Sequence, residues 1–267
     1  MTIHREISKI LSNGCTTSPQ RKGVENMDVK SILVVGDSLS KGVIFDSIKK
    51  RYCFAKDGFV SAMQKLLIPK IYNTAKFGAT IAYGETLLVP KMRELEPEVV
   101  LIEFGGNDCD FDWEAIAKNP FLDHQPKTGY AEFVRRLTEM VVQVQEFGKT
   151  PLLMTLPPLN APGYFNWFTG GDAEKGASIL KWLGDVTRIY WWHERYSCAI
   201  ERVARQTGAS LIDVRSEFLT QEDFREYLCV DGIHPNHEGH HLIAGSIREF
   251  IQNKQASDLL VPEICLA

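Results

Sequence analysis

The feature that most constrains this chain is a recurring switch of hydrophobic period. Ile32-Leu33-Val34-Val35 is a continuous apolar run that stops at Gly36 and passes into Asp37 and Ser38. Val99 to Ile102 runs out at Gly105-Gly106-Asn107, Leu152 to Met154 at Pro157-Pro158, and Leu211-Ile212 at Asp213, with a weaker segment at Ile71-Tyr72-Asn73. Such runs, rich in β-formers and lacking polar alternation, suit strands covered on both faces. Between them the period lengthens. Tyr130, Phe133, Val134, Leu137, Val141 and Val144 recur at steps of three and four, and Gly148 supplies a stop. Helices are likewise expected over 58–68, 85–95, about 180–207 and 236–253, the last opened by Pro235. Strands alternating with helices require crossover connections and a parallel sheet between helical layers, so the expected class is a three-layer α/β/α sandwich.

The 267 residues contain no repeat, low-complexity tract or central linker. One domain over 29–254 is expected, with an extension over 1–28 and a tail over 255–267. The segment 157–178 reads as a long turn-rich loop whose aromatic residues, Tyr164, Phe165, Trp167 and Phe168, suit a binding wall.

A formal charge of −4 supplies no basic field, which argues against nucleic acid as a partner. No apolar stretch is long enough for stable insertion in a membrane, and the first residues lack the apolar core of a signal peptide, so a cytoplasmic address is expected. Cys15, Cys53, Cys109, Cys198, Cys229 and Cys265 are scattered without CxxC spacing, as in a reduced protein.

In a parallel sheet, ligands bind beyond the carboxyl ends of the strands. Read just past each strand, the chain offers Ser38, Gly78, Asn107 and the DGIHP turn holding Asp231 and His234. A serine hydroxyl needs a neighbouring base to lose its proton on attack, and histidine suits that task. Asp231, three positions before His234, can reach Nδ1 and fix the tautomer that leaves Nε2 free. Ser38 N–H at a helix start, the backbone N–H of Gly78 and the amide of Asn107 are candidate donors to an oxyanion. Leu39, Asp108, Pro158, Phe165, Trp167 and Ile233 flank these positions and are candidate substrate contacts.

GDSLS at 36–40, Gly78 within AKFGATI, GGND at 105–108 and DGIHPN at 231–236 resemble the four ordered blocks of the SGNH, or GDSL-type, esterase and lipase family. The resemblance implies a flavodoxin-like five-stranded sheet, a triad of Ser38, His234 and Asp231, and an oxyanion hole of Ser38, Gly78 and Asn107. It also implies hydrolysis of a small-molecule substrate, an ester, thioester or acetylated sugar, without cofactor or metal. Neither the extension nor the aromatic segment has a counterpart among these blocks.

Blander roles compete at several positions. Ser38 alone would suit a helix cap, and Asp37 a turn. Asp213 is a rival to Asp231 as the acid. His237, Glu238, His240 and His241 offer zinc-type ligands, though without an HExxH pattern. His193 sits in a helical stretch among aromatics, where a histidine is ordinarily structural, and Trp191 and Trp192 read as packing. Lys41, Lys49, Lys50 and Arg51 read as a solvated face.

Overall fold

The structure, a computed structural model, describes residues 29–66 and 70–260. The extension over 1–28 and the end of the tail, 261–267, lie outside the described residues. The chain opens with β1 (Ser31–Gly36) and the short α1 (Ser38–Lys41), followed by a hairpin of β2 (Val43–Asp46) and β3 (Arg51–Phe54). Next come α2 (Phe59–Leu66), β4 (Lys70–Asn73), α3 (Ile81–Leu95) and β5 (Val99–Glu103). Then follow α4 (Trp113–Lys118), α5 (Tyr130–Glu146), β6 (Thr150–Met154), α6 (Ala161–Thr169) and α7 (Ala173–Leu183). The chain continues with α8 (Thr187–Thr207), β7 (Ser210–Ile212), α9 (Val214–Leu219), a 3-10 turn at Phe224–Tyr227 and α10 (His237–Leu260).

Five strands form a parallel sheet in the order β4-β1-β5-β6-β7. Chain order reverses at β1, whose neighbours β4 and β5 leave to opposite sides, so a crevice opens at the carboxyl ends of β1 and β5. Side-chain alternation fills both faces. Leu33, Val35, Val100, Ile102 and Leu153 pack with Phe133, Val141 and Ile200 of α5 and α8. Ile32, Val34, Leu101 and Met154 pack with Phe59, Phe218 and Ile243 of α2, α9 and α10. This two-sided burial is why the strands read as unbroken apolar runs.

Some expectations need correction. Segment 157–178 is not one loop: it holds α6 and the start of α7, capped by Asn160 and Asp172, whose side chains accept from N–H groups of the first turns. The helix expected over 180–207 is two helices, α7 and α8, separated where Gly184 takes a positive φ of 79°. The start of the tail continues α10 to Leu260. Helices α4, α6, α7 and the start of α8 gather a third apolar cluster, including Trp113, Leu159, Ile179 and Ile189, over the carboxyl edge. The β2–β3 hairpin lies outside the main sheet.

Candidate active site

β1 delivers Ser38 through a turn that leaves little room. A Cβ on Gly36 would lie 2.7 Å from Ser40 Oγ and 2.9 Å from Glu103 Oε2, so glycine is required by close approach. Asp37 then caps α1, its Oδ1 accepting from Leu39 N–H at 3.0 Å. Ser38 begins that helix, buried at 5% exposure.

His234 reaches it from the far end of the sequence. Ser38 Oγ lies 3.0 Å from His234 Nε2, and His234 Nδ1 lies 2.6 Å from Asp231 Oδ2. The other Asp231 oxygen accepts from the N–H groups of Ile233 and His234, each at 3.1 Å. One carboxylate therefore shapes the turn and orients the imidazole together. Burial acts most strongly on Asp231 and opposes its charge, but the hydrogen bonds and charge of His234 leave its pKa below the ordinary value. The turn is clamped from α6: Asn160 N–H donates to Gly232 O at 2.8 Å, and a Cβ on Gly232 (φ 75°) would lie 2.7 Å from Tyr164 N. Tyr52 meets the His234 ring edge-on at 5.2 Å between centroids, and Phe77 stacks on it at 6.0 Å. Both aromatics pack on the imidazole; Tyr52 belongs to no motif, and Phe77 lies beside Gly78 in the AKFGATI block.

Asp213 stands elsewhere. It caps α9, accepting from Ser216 N–H at 3.1 Å and from Thr155 Oγ1 at 3.1 Å. Asp37 and Asn107 join across the crevice, Asn107 Nδ2 donating to Asp37 Oδ2 at 2.9 Å, which leaves the second amide hydrogen for a ligand. Gly78 lines the same cleft with φ 72°; a Cβ there would meet nothing within 4 Å, so glycine answers to the backbone angle alone.

Beneath the serine lies a residue that strand periodicity concealed. Glu103 ends the run Val99–Ile102 and is fully buried. Its Oε2 accepts from Asp37 N–H, Ser40 N–H and Ser40 Oγ at 3.3, 3.2 and 2.8 Å, while Oε1 is buried without a hydrogen-bond partner. Burial, and then the charge of Asp37, push Glu103 well above the carboxylate range. A proton held on Glu103 relieves both. An acid directly after a both-face apolar run was the available signal.

A cleft of about 400 Å³ joins these groups, lined by Ser38, Gly78, Asn107 and His234 and extending under α6 and α8. Of the candidate contacts, Leu39, Trp167 and Ile233 line it. Asp108, Pro158 and Phe165 are not part of the lining. Asp108 is fully buried, its oxygens accepting from Ile81 N–H at 3.0 and 3.2 Å, which tethers the start of α3; burial raises its pKa to about 6. Phe165 instead packs against Phe168 and beside Gly176 of α7. Trp192, expected to be packing, and His193, expected to be a core or surface histidine, both line the cleft, whereas Trp191 is exposed.

The histidine-rich turn is divided. His237 and His241 both reach Asp57, at 2.8 and 3.4 Å, while His240 turns inward and accepts from Phe59 N–H at 3.4 Å. Among the described residues no group of three or more His, Cys, Asp or Glu is placed to hold a metal ion, and no helix is long and apolar enough to cross a membrane.

A flavodoxin-ordered parallel sheet with serine, histidine and aspartate chained at its carboxyl edge has the architecture of the SGNH hydrolases. The chain belongs to the GDSL-like lipase/acylhydrolase family, whose model matches residues 34–242. A GDSL esterase/lipase of Arabidopsis thaliana is 22% identical over 166 residues, 62% of this chain and 59% of that protein. One from Oryza sativa subsp. japonica is 20% identical over 168 residues, 63% of this chain and 58% of that protein. The chain thus spans less than two thirds of the length of these curated relatives. In fold it matches a lipase/acylhydrolase from Enterococcus faecalis (TM-score 0.58, 18% identity, covering 85% of this chain and 96% of that one). It also matches an acetylxylan esterase from Geobacillus stearothermophilus (TM-score 0.57, 17% identity, covering 83% and 94%).

Proposed function

We propose that this chain hydrolyses small carboxylic esters through an acyl-enzyme on Ser38. The observation that carries the reading is the unbroken chain from Ser38 Oγ to His234 Nε2 at 3.0 Å and from Nδ1 to Asp231 at 2.6 Å. As Ser38 attacks the carbonyl carbon, His234 takes its proton, and Asp231 stabilises the resulting imidazolium. The carbonyl oxygen, now anionic, is met by the N–H groups of Ser38 and Gly78 and by the Asn107 amide, which keeps one hydrogen uncommitted after its bond to Asp37. His234 then protonates the departing alcohol. In the second half it takes a proton from water, which attacks the acyl carbon and restores Ser38. Neither half draws on a cofactor.

The aromatic lining favours an uncharged ester with an apolar portion over a phosphorylated one, and the acyl-ester name of a fold neighbour, an acetylxylan esterase, is compatible with this. A small-molecule substrate and a reducing, cytoplasmic setting belong to the same reading; Cys53, Cys109, Cys198 and Cys229 are free thiols.

The test is direct. Treatment with an alkyl fluorophosphonate should place one adduct on the Ser38 peptide by mass spectrometry and abolish p-nitrophenyl acetate turnover. An unlabelled Ser38 with no turnover sinks the hydrolase reading and leaves a small-molecule binding module on the same fold.

A further inference from the structure

The lining of the cleft also includes Phe111, Trp113, Phe168, Ile189 and Trp192, which belong to the third apolar cluster and together make its aromatic inner chamber. Most polar groups there are engaged with one another. Asp110 Oδ1 accepts from Tyr164 Oη at 2.9 Å and from Trp113 Nε1 at 2.8 Å, while Oδ2 pairs with Lys127 Nζ at 2.8 Å. His193, carried on α8, differs. The residue is part of the cleft lining and 7% exposed, and its Nδ1 is buried with no hydrogen-bond partner. Such groups are uncommon in folded proteins, and each calls for a partner.

The surroundings narrow the partner's chemistry. Burial, reinforced by the nearby Arg215 cation, holds His193 well below its ordinary pKa, so the ring is neutral, with one nitrogen a donor and the other an acceptor. Arg215 is not part of the cleft lining: it is paired with Glu194, donates from Nη1 to Leu156 O at 2.9 Å and lies over the face of Tyr190, while its Nε and Nη2 are buried without a hydrogen-bond partner. An anionic ligand group would therefore meet no free cation there. A hydroxyl, which donates and accepts as the imidazole does, fits a neutral ring among aromatics.

We propose that His193 is a specificity-determining residue, hydrogen-bonding a hydroxyl carried by the part of the ester that fills the inner chamber. The preferred substrates are then esters with an apolar stem and a neutral hydroxyl remote from the reacting carbonyl. This rests on the hydrolase reading above and names the substrate class of that site.

The test compares kcat/KM for hexyl hexanoate with two series, hexyl hydroxyhexanoates and hydroxyhexyl hexanoates, each with the hydroxyl moved from carbon 3 to carbon 6. At least one isomer should exceed the parent about tenfold, the worth of one neutral hydrogen bond. The series in which it falls tells whether the acyl or the alcohol portion enters the chamber. In H193F and H193L that ratio collapses toward one. In H193Q, whose amide places its polar atoms differently, the ratio drops and the favoured position shifts. The preference should be flat from pH 6.5 to 8.5, because a neutral ring has no charge to lose. A wild-type ratio near one at every position overturns the proposal, as does a ratio that survives in H193F. Should neither apolar variant fold, an unmoved optimum in H193Q overturns it. If no ester is turned over and Ser38 takes no phosphonate, the hydrolase reading itself has failed, a result distinct from loss of selectivity.

Discussion

The two ends of the cleft are built by different means. At the triad end, position is fixed by backbone: turns closing β1 and β5, the glycines at 36, 78 and 232, and the N–H groups that grip Asp37, Glu103 and Asp231. At the chamber end, the walls are aromatic side chains offered by α4, α6 and α8 and packed on one another, as in the parallel stack of Trp113 on Phe168 at 4.4 Å. A turn held by several hydrogen bonds has one solution, whereas an aromatic wall has many of similar volume. Damage at the first end should therefore be severe and the same for every ester. Damage at the second should be graded and dependent on the ester.

The largest expected effect is at Ser38. Ser38→Ala should lower kcat by about 10⁴-fold or more on every ester, with binding of substrate left measurable. A similar fractional loss across short and long esters is the signature of the backbone-set end; a loss confined to long esters breaks the contrast.

Next comes the acid. Asp231→Asn keeps the shape of the turn but favours the wrong tautomer of His234, and a drop of about 10³- to 10⁴-fold in kcat is expected. Asp213→Asn, acting on the α9 cap, should change kcat only a few-fold while lowering the melting temperature, a cap being worth about 1 kcal/mol. Steady-state kinetics beside thermal melts separates the two; the reverse pattern would mean that Asp213 orients the histidine.

How much was legible in the sequence follows the same division. Ser38, Gly78 and Asn107 were readable because each lies shortly past the end of a strand, and Asp231 and His234 because they share one short contiguous turn, although the fold places that turn not at the end of β7 but after α9 and the 3-10 turn, directly before α10. The order of strand and helix was readable because burial on two faces produces unbroken apolar runs. The chamber was not. Phe165 and Trp167 are two residues apart in one segment, and only the 100° per residue turn of α6 decides that Trp167 meets the cleft, while Phe165 meets α7. Segment 157–178 read as a loop because Pro157, Pro158, Pro162, Gly170 and Gly171 obscured a helix whose N-cap is Asn160. Tyr52 and Phe77 come from separate segments, Tyr52 from β3 of the hairpin and Phe77 from the stretch between β4 and α3, and only the folded chain brings both to His234.

The chamber end can be probed at Trp192, which meets Phe111 at 4.5 Å and Trp182 at 5.3 Å. Trp192→Leu removes apolar contact area worth about 1–2 kcal/mol to a ligand that reaches it. The ratio of kcat/KM for p-nitrophenyl hexanoate to that for p-nitrophenyl acetate should then fall by about tenfold. A uniform loss across both esters would show that the two ends are mechanically one.

The smallest effect sharpens the contrast from below the triad. Burial, and then the charge of Asp37, raise the folded pKa of Glu103 well above its unfolded value of about 4.5. The folded protein keeps a proton that the unfolded chain releases. This stabilisation is full below the unfolded pKa and is lost as pH rises toward the folded one. Glu103→Gln supplies the same donor permanently, its Nε2–H facing Asp37 and its oxygen facing the N–H groups of Asp37 and Ser40. Thermal melts from pH 4.5 to 8 should show the variant gaining on the wild type as pH rises, by at most about 1.4 kcal/mol per pH unit. Other buried groups share this range. Asp37 and Asp108, both raised by burial and Asp108 to about 6, have the same sign, while His193 and His240, both lowered by burial and His240 to about 4, have the opposite one; Asp108, His193 and His240 are present in each protein and cancel in the difference, whereas Asp37, whose N–H donates to Glu103, adds to it. Parallel curves would mean that Glu103 is ionised and that its unpartnered Oε1 is met in some other way. A widening gap would show that the backbone-set end rests on a single buried proton.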